Sequence, residues 1–280
     1  MNKADLHIHS NYSDGSDSVE NLLEIISEAN IGIAALTDHD TVAGCEKLET
    51  LSLPSGVKVI KGIELTCEQD DLQCHILGYN CDIKNDELLT LIEKGKKLRR
   101  TKLEKRLQFL KDNWKIILTD YESDWLFSRQ SVVKTHIAEI LVSRGLADNN
   151  LAAMNKFLDG CVVENCKFTI QEALSAIKNS GGIPIWAHPL GGEGERHINE
   201  SEFISRLKYM KELDIVGMEC YYSRYNLSES ELLIKQANIN NLLVSGGSDY
   251  HGKNKDIPIG RLNSENLEIG IDKLSVLKAL

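Results

Sequence analysis

Two histidines near the start of the chain could bind one metal ion together. His7 and His9 lie two positions apart in a segment whose pattern predicts a β-strand. Because residues i and i+2 of a strand point to the same face, both imidazoles can reach one ion. Asp14 follows in a turn with Gly15, from which its carboxylate can approach the same ion. A His-x-His pair also fits two histidines packed in a strand, so the interpretation depends on the rest of the chain.

Residues of the same chemical types recur where later predicted strands end. Six of the eight histidines stand at such places, and Asp249 and His251 repeat the spacing of His7 and His9. The candidate metal ligands are His7, His9, Asp14, His39, Glu64, His75, His188, Asp249 and His251. These nine ligands are too many for one ion, and they suit two or three divalent ions that share a bridging carboxylate. Manganese, zinc and iron all accept such a mixed ligand set, and of the three we expect manganese first.

The elements around these residues predict an α/β fold. Short apolar runs alternate with amphipathic helical patterns, and the run 33–36 shows no polar alternation. Such a run is typical of a strand that is buried on both faces of a parallel sheet. It leads into Asp38-His39-Asp40, and the carboxyl ends of parallel barrel strands converge on one face. A chain of 280 residues is long enough for one large α/β barrel or two modest domains.

One region interrupts the alternation of strands and helices. We predict a helical insertion at residues 96–167, between barrel segments 1–95 and 168–280. The predicted helix at its start is basic, with a run of lysines and arginines between Lys94 and Arg106. Most of these cations are expected on a solvated face, but in an acidic protein such a concentration could also bind phosphate.

The overall composition indicates a folded protein and disfavours several classes. Apolar residues make up 42% of the chain and charged residues 26%, which is ordinary globular usage. A net charge of −10 argues against wholesale coating of nucleic acid. The seven cysteines form no Cys-x-x-Cys pair, which suits reduced thiols, and no apolar run is long enough for a membrane span. We therefore expect a cytoplasmic protein without a signal peptide or an obligate protein partner.

Six short segments resemble the motifs of the PHP (polymerase and histidinol phosphatase) superfamily of metal-dependent phosphoesterases. In chain order they are DLHIHSNYSDG, TDHD, GIELT, CHILGY, WAHP and GSDYHG. The resemblance implies an α/β fold of the distorted (β/α)7, TIM-like barrel type with three metal ions. It also implies the ligands of each ion, which are His7, His9, Glu64 and Asp249 for one, Glu64, His75 and His188 for a second, and Asp14, His39 and His251 for a third.

Within the superfamily the chain is similar to the group that acts on 3′,5′-nucleoside bisphosphates and 5′-phosphorylated oligonucleotides. That group carries a helical insertion at this place, with an arginine-rich helix and a Gly-Arg-Pro-His-Ile-Ala-like segment. The corresponding segment here is 133–138, in which His136 matches but Lys134 replaces the arginine. Lysine lacks the two-pronged fork with which arginine binds phosphate. The implied substrates are a small phosphorylated nucleotide and a short 5′-phosphorylated oligonucleotide.

As a hypothesis for the mechanism, we expect a hydroxide that bridges two ions to attack phosphorus, while the ions neutralise charge on the phosphoryl oxygens. Among the residues around it we expect Glu64, Asp249, His188 and Asp38, with Asp38 or His188 assisting proton transfer. Cleaving one of two phosphates requires a grip on the other. The candidates for this grip are Arg99, Arg100, Lys134 and His136.

Three other interpretations remain open at this point. The nearest is a PHP phosphatase for another small phosphate, such as histidinol phosphate. A metal-dependent C–N hydrolase of the amidohydrolase type also begins with His-x-His, but it usually has a lysine where Glu64 stands here. The third is a non-catalytic, metal-stabilised binding module.

Overall fold

One mixed sheet forms the centre of the protein. The computed structural model describes residues 3–70, 72–163, 166–193 and 195–280. Within these residues, seven strands lie side by side in sequence order. They are β1 (Lys3–Ile8), β2 (Ile31–Leu36), β3 (Lys58–Gln69), β4 (Leu72–Tyr79), β5 (Ile183–Trp186), β6 (Gly217–Tyr222) and β7 (Leu243–Gly247). The predicted α/β fold class is confirmed.

The two edges of the sheet approach each other at the ends of β1 and β7. Ile8 forms an isolated parallel bridge with Tyr250, and the His9 amide donates a 2.9 Å hydrogen bond to the Tyr250 carbonyl. The Asp5 carboxylate supports this junction by accepting a 2.8 Å hydrogen bond from the Ser248 amide. The sheet therefore curls so that residues after β1 and after β7 come together.

Strand β4 runs opposite to the other strands. It pairs antiparallel with β3 and with β5, whereas the remaining neighbours pair in parallel. The link between Gln69 and Leu72 is so short that it can only close a hairpin, which makes β4 antiparallel to β3. In this hairpin His75 lies opposite Thr66, near the end of β3. A residue in the first half of the reversed strand thus reaches the edge where the other strands end.

Helices connect the strands and form most of the region between β4 and β5. Those described are α1 (Val19–Glu28), α2 (Ala43–Leu48), α3 (Asp86–Trp114), α4 (Asp120–Phe127), α5 (Lys134–Ser143), α6 (Asn150–Phe157), α7 (Ile170–Asn179), α8 (Glu200–Glu212) and α9 (Leu227–Ile239). Where the chain re-enters the sheet layer, Thr169 and Glu172 form a capping box that starts α7. None of the described helices is long and apolar enough to cross a membrane.

Helix α3 links two separate apolar cores. Near its start, Leu88 and Ile92 pack in the large core around the sheet. Farther along, Leu103 and Leu110 pack in a second core with residues of α4, α5 and α6. The predicted division between residues 95 and 96 therefore falls inside one continuous helix. The insertion of residues 96–167, as a unit of its own, stays a prediction.

Candidate metal centre

Glu64 lies at the centre of the predicted ligands. Its side chain projects from β3 and is 1% exposed. One carboxylate oxygen, Oε2, lies 3.1 Å from Nε2 of His7, 3.1 Å from Nε2 of His9 and 3.1 Å from Nδ1 of His39. This oxygen thus joins residues from the ends of β1 and β2.

The other oxygen of Glu64 contacts histidines from β4 and from the segment after β5. Oε1 lies 3.0 Å from Nδ1 of His75 and 3.3 Å from Nε2 of His188. His75 comes from β4, and His188 follows β5. One carboxylate therefore contacts five imidazoles, which is the position that a bridging metal ligand would occupy.

The remaining predicted ligands close the group on the side of β7. His251 Nε2 lies 3.1 Å from Asp14 Oδ1. Asp249 Oδ1 lies 3.4 Å from His9 Nε2 and 3.6 Å from His7 Nε2. All nine predicted ligands are thus brought together, and we call them the nine-residue cluster.

Two members of this cluster adopt backbone conformations that are unusual for residues other than glycine. His188 has φ 29° and Asp249 has φ 59°. Both follow strand ends, and the turn directs their side chains toward Glu64 and His7 respectively. Strained backbone of this kind collects at functional sites because the surrounding fold must hold it.

The cluster contains buried polar atoms that fit a bound cation. In the part of the chain that the structure describes, six of its atoms lack a hydrogen-bond partner, namely His7 Nε2, His9 Nε2, Asp14 Oδ1, His39 Nδ1, Glu64 Oε2 and His251 Nε2. Leaving such groups buried and unpaired costs about 1–3 kcal/mol each. Lone pairs that converge from imidazoles and carboxylates are the donors that divalent transition metals bind.

The atoms that could hold an ion fall into four overlapping groups. These are His7, His9, Glu64 and Asp249; His9, Asp14, His39 and His251; His39, Glu64 and His75; and His75, His188 and Glu195. The first group equals one implied ion site, and the second equals another with His9 added. The third implied set is divided, because His75 also lies near His39 and Glu195 lies beside His188.

The carboxylates of the cluster are held in their charged form. Burial alone would raise the pKa of Glu64, but the imidazoles of His39, His7 and His75 keep it well below the usual value. Burial likewise opposes ionisation of Asp14 and Asp249, but neighbouring imidazoles lower the pKa of Asp14, and Lys255 with neighbouring imidazoles lowers the pKa of Asp249. Ionised carboxylates are the form that binds a divalent ion.

Glu219 fixes two cluster residues from behind. It is fully buried on β6, and its Oε1 lies 3.1 Å from His7 Nδ1. Its Oε2 accepts a 2.8 Å hydrogen bond from the His188 amide. A carboxylate that binds the outer nitrogen of a ligand histidine sets the tautomer and orientation of the ring.

We expect Glu219→Gln to weaken metal affinity by about 10- to 100-fold while the protein stays folded. Glutamine retains the shape, but it loses the charge that supports His7. Titration of the chelator-treated protein with Mn²⁺ measures the affinity, and the melting temperature of the metal-free protein serves as control. Unchanged affinity would contradict the role assigned to Glu219.

Asp38 was predicted to lie beside the metal-bound water, but its contacts are with the loop after β1. Its Oδ1 accepts hydrogen bonds from the Ser10 amide at 2.8 Å and from Ser13 Oγ at 2.7 Å. Its Oδ2 accepts a 2.7 Å hydrogen bond from Ser10 Oγ. Because both oxygens of Asp38 accept hydrogen bonds from the loop after β1, these contacts favour a positioning role over proton transfer with water.

A cavity of about 380 Å³ opens from the cluster toward the helices between β4 and β5. Of the predicted phosphate-binding residues, Arg99 and Lys134 line it. Arg99 donates hydrogen bonds to the Asp40 carboxylate and to Thr66 Oγ1. Arg100 lies outside this cavity, where its guanidinium stacks 4.9 Å from the centre of the Phe127 ring.

His136 is buried in the helical region and does not line the cavity. Its Nδ1 accepts a 3.1 Å hydrogen bond from the Val133 amide at the start of α5. Burial and the Arg129 guanidinium lower the pKa of His136 to about 4. An uncharged imidazole that caps a helix is poorly suited to bind phosphate, so its place in the structure does not favour the predicted role.

Sequence reasoning missed several cavity residues. Lys102 and Arg106 line the cavity from α3, and Lys255 and Glu195 line it close to the cluster. Lys102 and Arg106 belong to a longer basic run, and the spacing of residues in that run does not show which side chains face the cavity. No sequence pattern pointed to Glu195. It lies seven residues after His188, and only the fold of the chain places its Oε2 3.3 Å from His188 Nδ1.

Comparison with known families and proteins agrees with this geometry. A PHP domain family model matches residues 5–183. A 5′-3′ exoribonuclease of Haemophilus influenzae is 29% identical over 269 residues, covering 91% of this chain and 95% of that protein. A phosphoribosyl 1,2-cyclic phosphate 1,2-diphosphodiesterase of Eggerthella lenta is 27% identical over 91% of this chain and 96% of its own length. A 3′,5′-nucleoside bisphosphate phosphatase of Chromobacterium violaceum is 23% identical over 90% of this chain and 88% of its own.

Two solved structures share the fold. A proposed metal-dependent phosphoesterase from Bifidobacterium adolescentis superposes with a TM-score of 0.81 at 23% identity, covering 94% of this chain and 93% of that one. A Chromobacterium violaceum protein described as an amidohydrolase superposes with a TM-score of 0.80 at 21% identity, covering 91% and 90%. At this identity the two structures establish the fold alone.

Proposed function

Because the chain belongs to the PHP domain family, we propose that it is a metal-dependent phosphoesterase acting on a small nucleotide with two phosphate groups. The observation that carries the proposal is the convergence of eight predicted ligands around a ninth, Glu64. Six buried atoms of this cluster have no hydrogen-bond partner among the described residues. The substrate we favour is a 3′,5′-nucleoside bisphosphate, cleaved to the 5′-nucleotide. A short 5′-phosphorylated oligonucleotide is the second candidate, supported by the name of the Haemophilus influenzae relative.

The nine-residue cluster would hold two or three divalent ions, Mn²⁺ first and Zn²⁺ or Fe²⁺ as alternatives. When bound, such ions lower the pKa of water and neutralise charge on a phosphoryl group. Glu64 holds the imidazoles of both sides in one arrangement, and Asp249 presents one oxygen to His7 and His9. Glu219 and Asp38 fix the segments that carry these residues.

A second group of charges lies elsewhere on the cavity wall. Lys102, Arg106 and Lys134 all line the cavity from the helical region. Within the described ranges, no carboxylate lies within ion-pair distance of any of the three. Arg106 is only 8% exposed, and its Nε has no hydrogen-bond partner among those residues.

This group is electrostatically suited to an anion. Burial and the neighbouring Arg106 and Arg99 guanidinium groups lower the pKa of Lys102 to about 7. Burial and Arg106 also lower the pKa of Lys134. Cations that depress one another's pKa gain from a bound phosphate, which offers several oxygens for charge-assisted hydrogen bonds. The cavity volume of about 380 Å³ falls in the range of small-molecule sites.

Release of inorganic phosphate from the monoesters, and of a mononucleotide from the trinucleotide, tests the proposal. The Mn²⁺-loaded protein is incubated with 3′-phosphoadenosine 5′-phosphate, a 5′-phosphorylated trinucleotide, 3′-AMP and histidinol phosphate, and the variant His9→Ala is the control. We expect kcat/KM to be highest for the bisphosphate and release to be absent in the control.

Each alternative outcome has a definite meaning. Preference for histidinol phosphate would retain the metal centre and contradict the second-phosphate site. Release that persists in His9→Ala would contradict the metal centre itself. If the metal-loaded protein released no product from any of the four compounds, the result would favour a non-catalytic binding module.

A further inference from the structure

Lys255 is a cation that lies directly against the nine-residue cluster. Its Nζ is 2.7 Å from Asp249 Oδ2, and its side chain is 19% exposed. It lines the same cavity as His39, His75 and Glu64. The other cations on the cavity wall are Arg99, which Asp40 engages, and the three residues of the helical region.

The contact with Asp249 is shared with a tyrosine. Tyr222 Oη donates a 2.9 Å hydrogen bond to the same Oδ2 atom. Asp249 therefore keeps Oδ2 for Lys255 and Tyr222 and turns Oδ1 toward the imidazoles of His7 and His9. Because Tyr222 already fixes this oxygen, the orientation of Asp249 does not depend on Lys255 alone.

The segment that carries Lys255 joins the cluster to the helical region. The neighbouring Asn254 donates a 2.8 Å hydrogen bond to the carbonyl of Asp14. The same amide nitrogen lies 3.4 Å from Glu139 Oε1 on α5. The segment that carries Lys255 thus contacts both the cluster and α5, and Lys255 lines the cavity that also contains Lys134.

We propose that the Lys255 ammonium donates a hydrogen bond to the ester oxygen that leaves phosphorus. This inference rests on the proposed function. A nucleotide held at the cluster by one phosphate and at Lys102, Arg106 and Lys134 by the other directs its ester oxygen toward the helical region. Lys255 is a cavity-lining cation that contacts the cluster at Asp249, and the neighbouring Asn254 reaches α5.

The step is balanced without a change in the protonation of Lys255. The P–O ester bond breaks, and its electron pair goes to the leaving oxygen. A new P–O bond forms to a water oxygen, and the proton that this water loses reaches the alcohol product through solvent. The ammonium stabilises the negative charge that grows on the leaving oxygen in the transition state.

The inference is tested with a pair of substrates that differ at one atom. The first is 3′-phosphoadenosine 5′-phosphate, and the second carries sulphur in place of the 3′ ester oxygen. A thiolate leaves without assistance, because it is far more stable in water than an alkoxide. We expect Lys255→Met to lower kcat on the oxygen ester by about 100-fold and to leave kcat on the sulphur ester near the wild-type value. Lys255→Arg should recover part of the loss.

The controls separate this role from a structural one. Lys253→Met, two residues earlier on an exposed position, should behave as wild type on both esters. Lys255→Met should bind as much Mn²⁺ as wild type and melt within a few degrees of it. An equal loss on both esters, a loss of bound metal, or no loss at all would overturn the inference. A wild-type protein that cleaves neither ester would instead contradict the proposed function.

Discussion

Replacing Glu64 by glutamine is expected to lower kcat/KM for phosphate release by at least about 10³-fold and to remove bound metal. Glutamine has nearly the same shape, so the β3 strand should keep its packing. It lacks the charge, however, and it presents an amide to rings that lie about 3 Å from both Glu64 oxygens. Phosphate release and metal content, measured on the same preparation, test this expectation.

Glu46→Gln is the matched control for this variant. Glu46 lies on α2 at an exposed position, so the same chemical change there should leave activity and metal content unaltered. Retention of full metal content and more than a tenth of the activity in Glu64→Gln would contradict the bridging role of Glu64.

Replacing Arg106 by methionine is expected to raise KM for the bisphosphate by about 10- to 100-fold, with a much smaller change in kcat. This corresponds to the loss of one charge-assisted hydrogen bond of about 1.5–3 kcal/mol. KM for 3′-AMP, which lacks the second phosphate, should stay near the wild-type value. The comparison of the two substrates distinguishes a lost phosphate contact from a general disturbance of the cavity.

Arg100→Met is the control for the helix. Arg100 lies on the same helix but outside the cavity, against Phe127, so its replacement should change neither KM. Because Arg106 is buried, Lys102→Met provides a second test with less risk to folding. Equal effects of Arg106→Met on both substrates, or a larger effect of Arg100→Met, would contradict the assignment of the second phosphate.

The family, the α/β fold and the phosphoester chemistry could be predicted because the informative residues are rare and regularly placed. Histidine is scarce in the chain, and six of eight stand near strand ends. The matching family model and the names of three full-length relatives confirm the prediction of a PHP phosphoesterase. The assignment of ligands to individual ions stays a prediction.

The direction of β4 and the role of Glu219 show what sequence reasoning overlooked. The seven residues between GIELT and CHILGY suffice for a hairpin but are too few for the crossover that joins parallel strands. Glu219 stands alone among apolar residues in a strand, as Glu64 does, and the argument that a buried carboxylate needs a partner applied equally to it.

Other features required the three-dimensional structure. Arg106 and Arg100 belong to the same basic run, yet only Arg106 turns into the cavity. Which side of a long helix faces a cavity depends on the packing of α4, α5 and α6 against it, and no local pattern in the run contains that information. Lys255 likewise became a candidate functional residue only when the structure placed its Nζ 2.7 Å from Asp249 Oδ2.

The most direct test of the metal-dependent mechanism follows bound metal and activity together. Chelator-treated protein is titrated with Mn²⁺, and bound manganese per chain and phosphate release from 3′-phosphoadenosine 5′-phosphate are measured in each sample. We expect no release without metal and a rise in release that follows the binding of two to three ions per chain. Release by the metal-free protein, or full occupancy without release from any phosphoester tested, would contradict a metal-dependent phosphoesterase centred on Glu64.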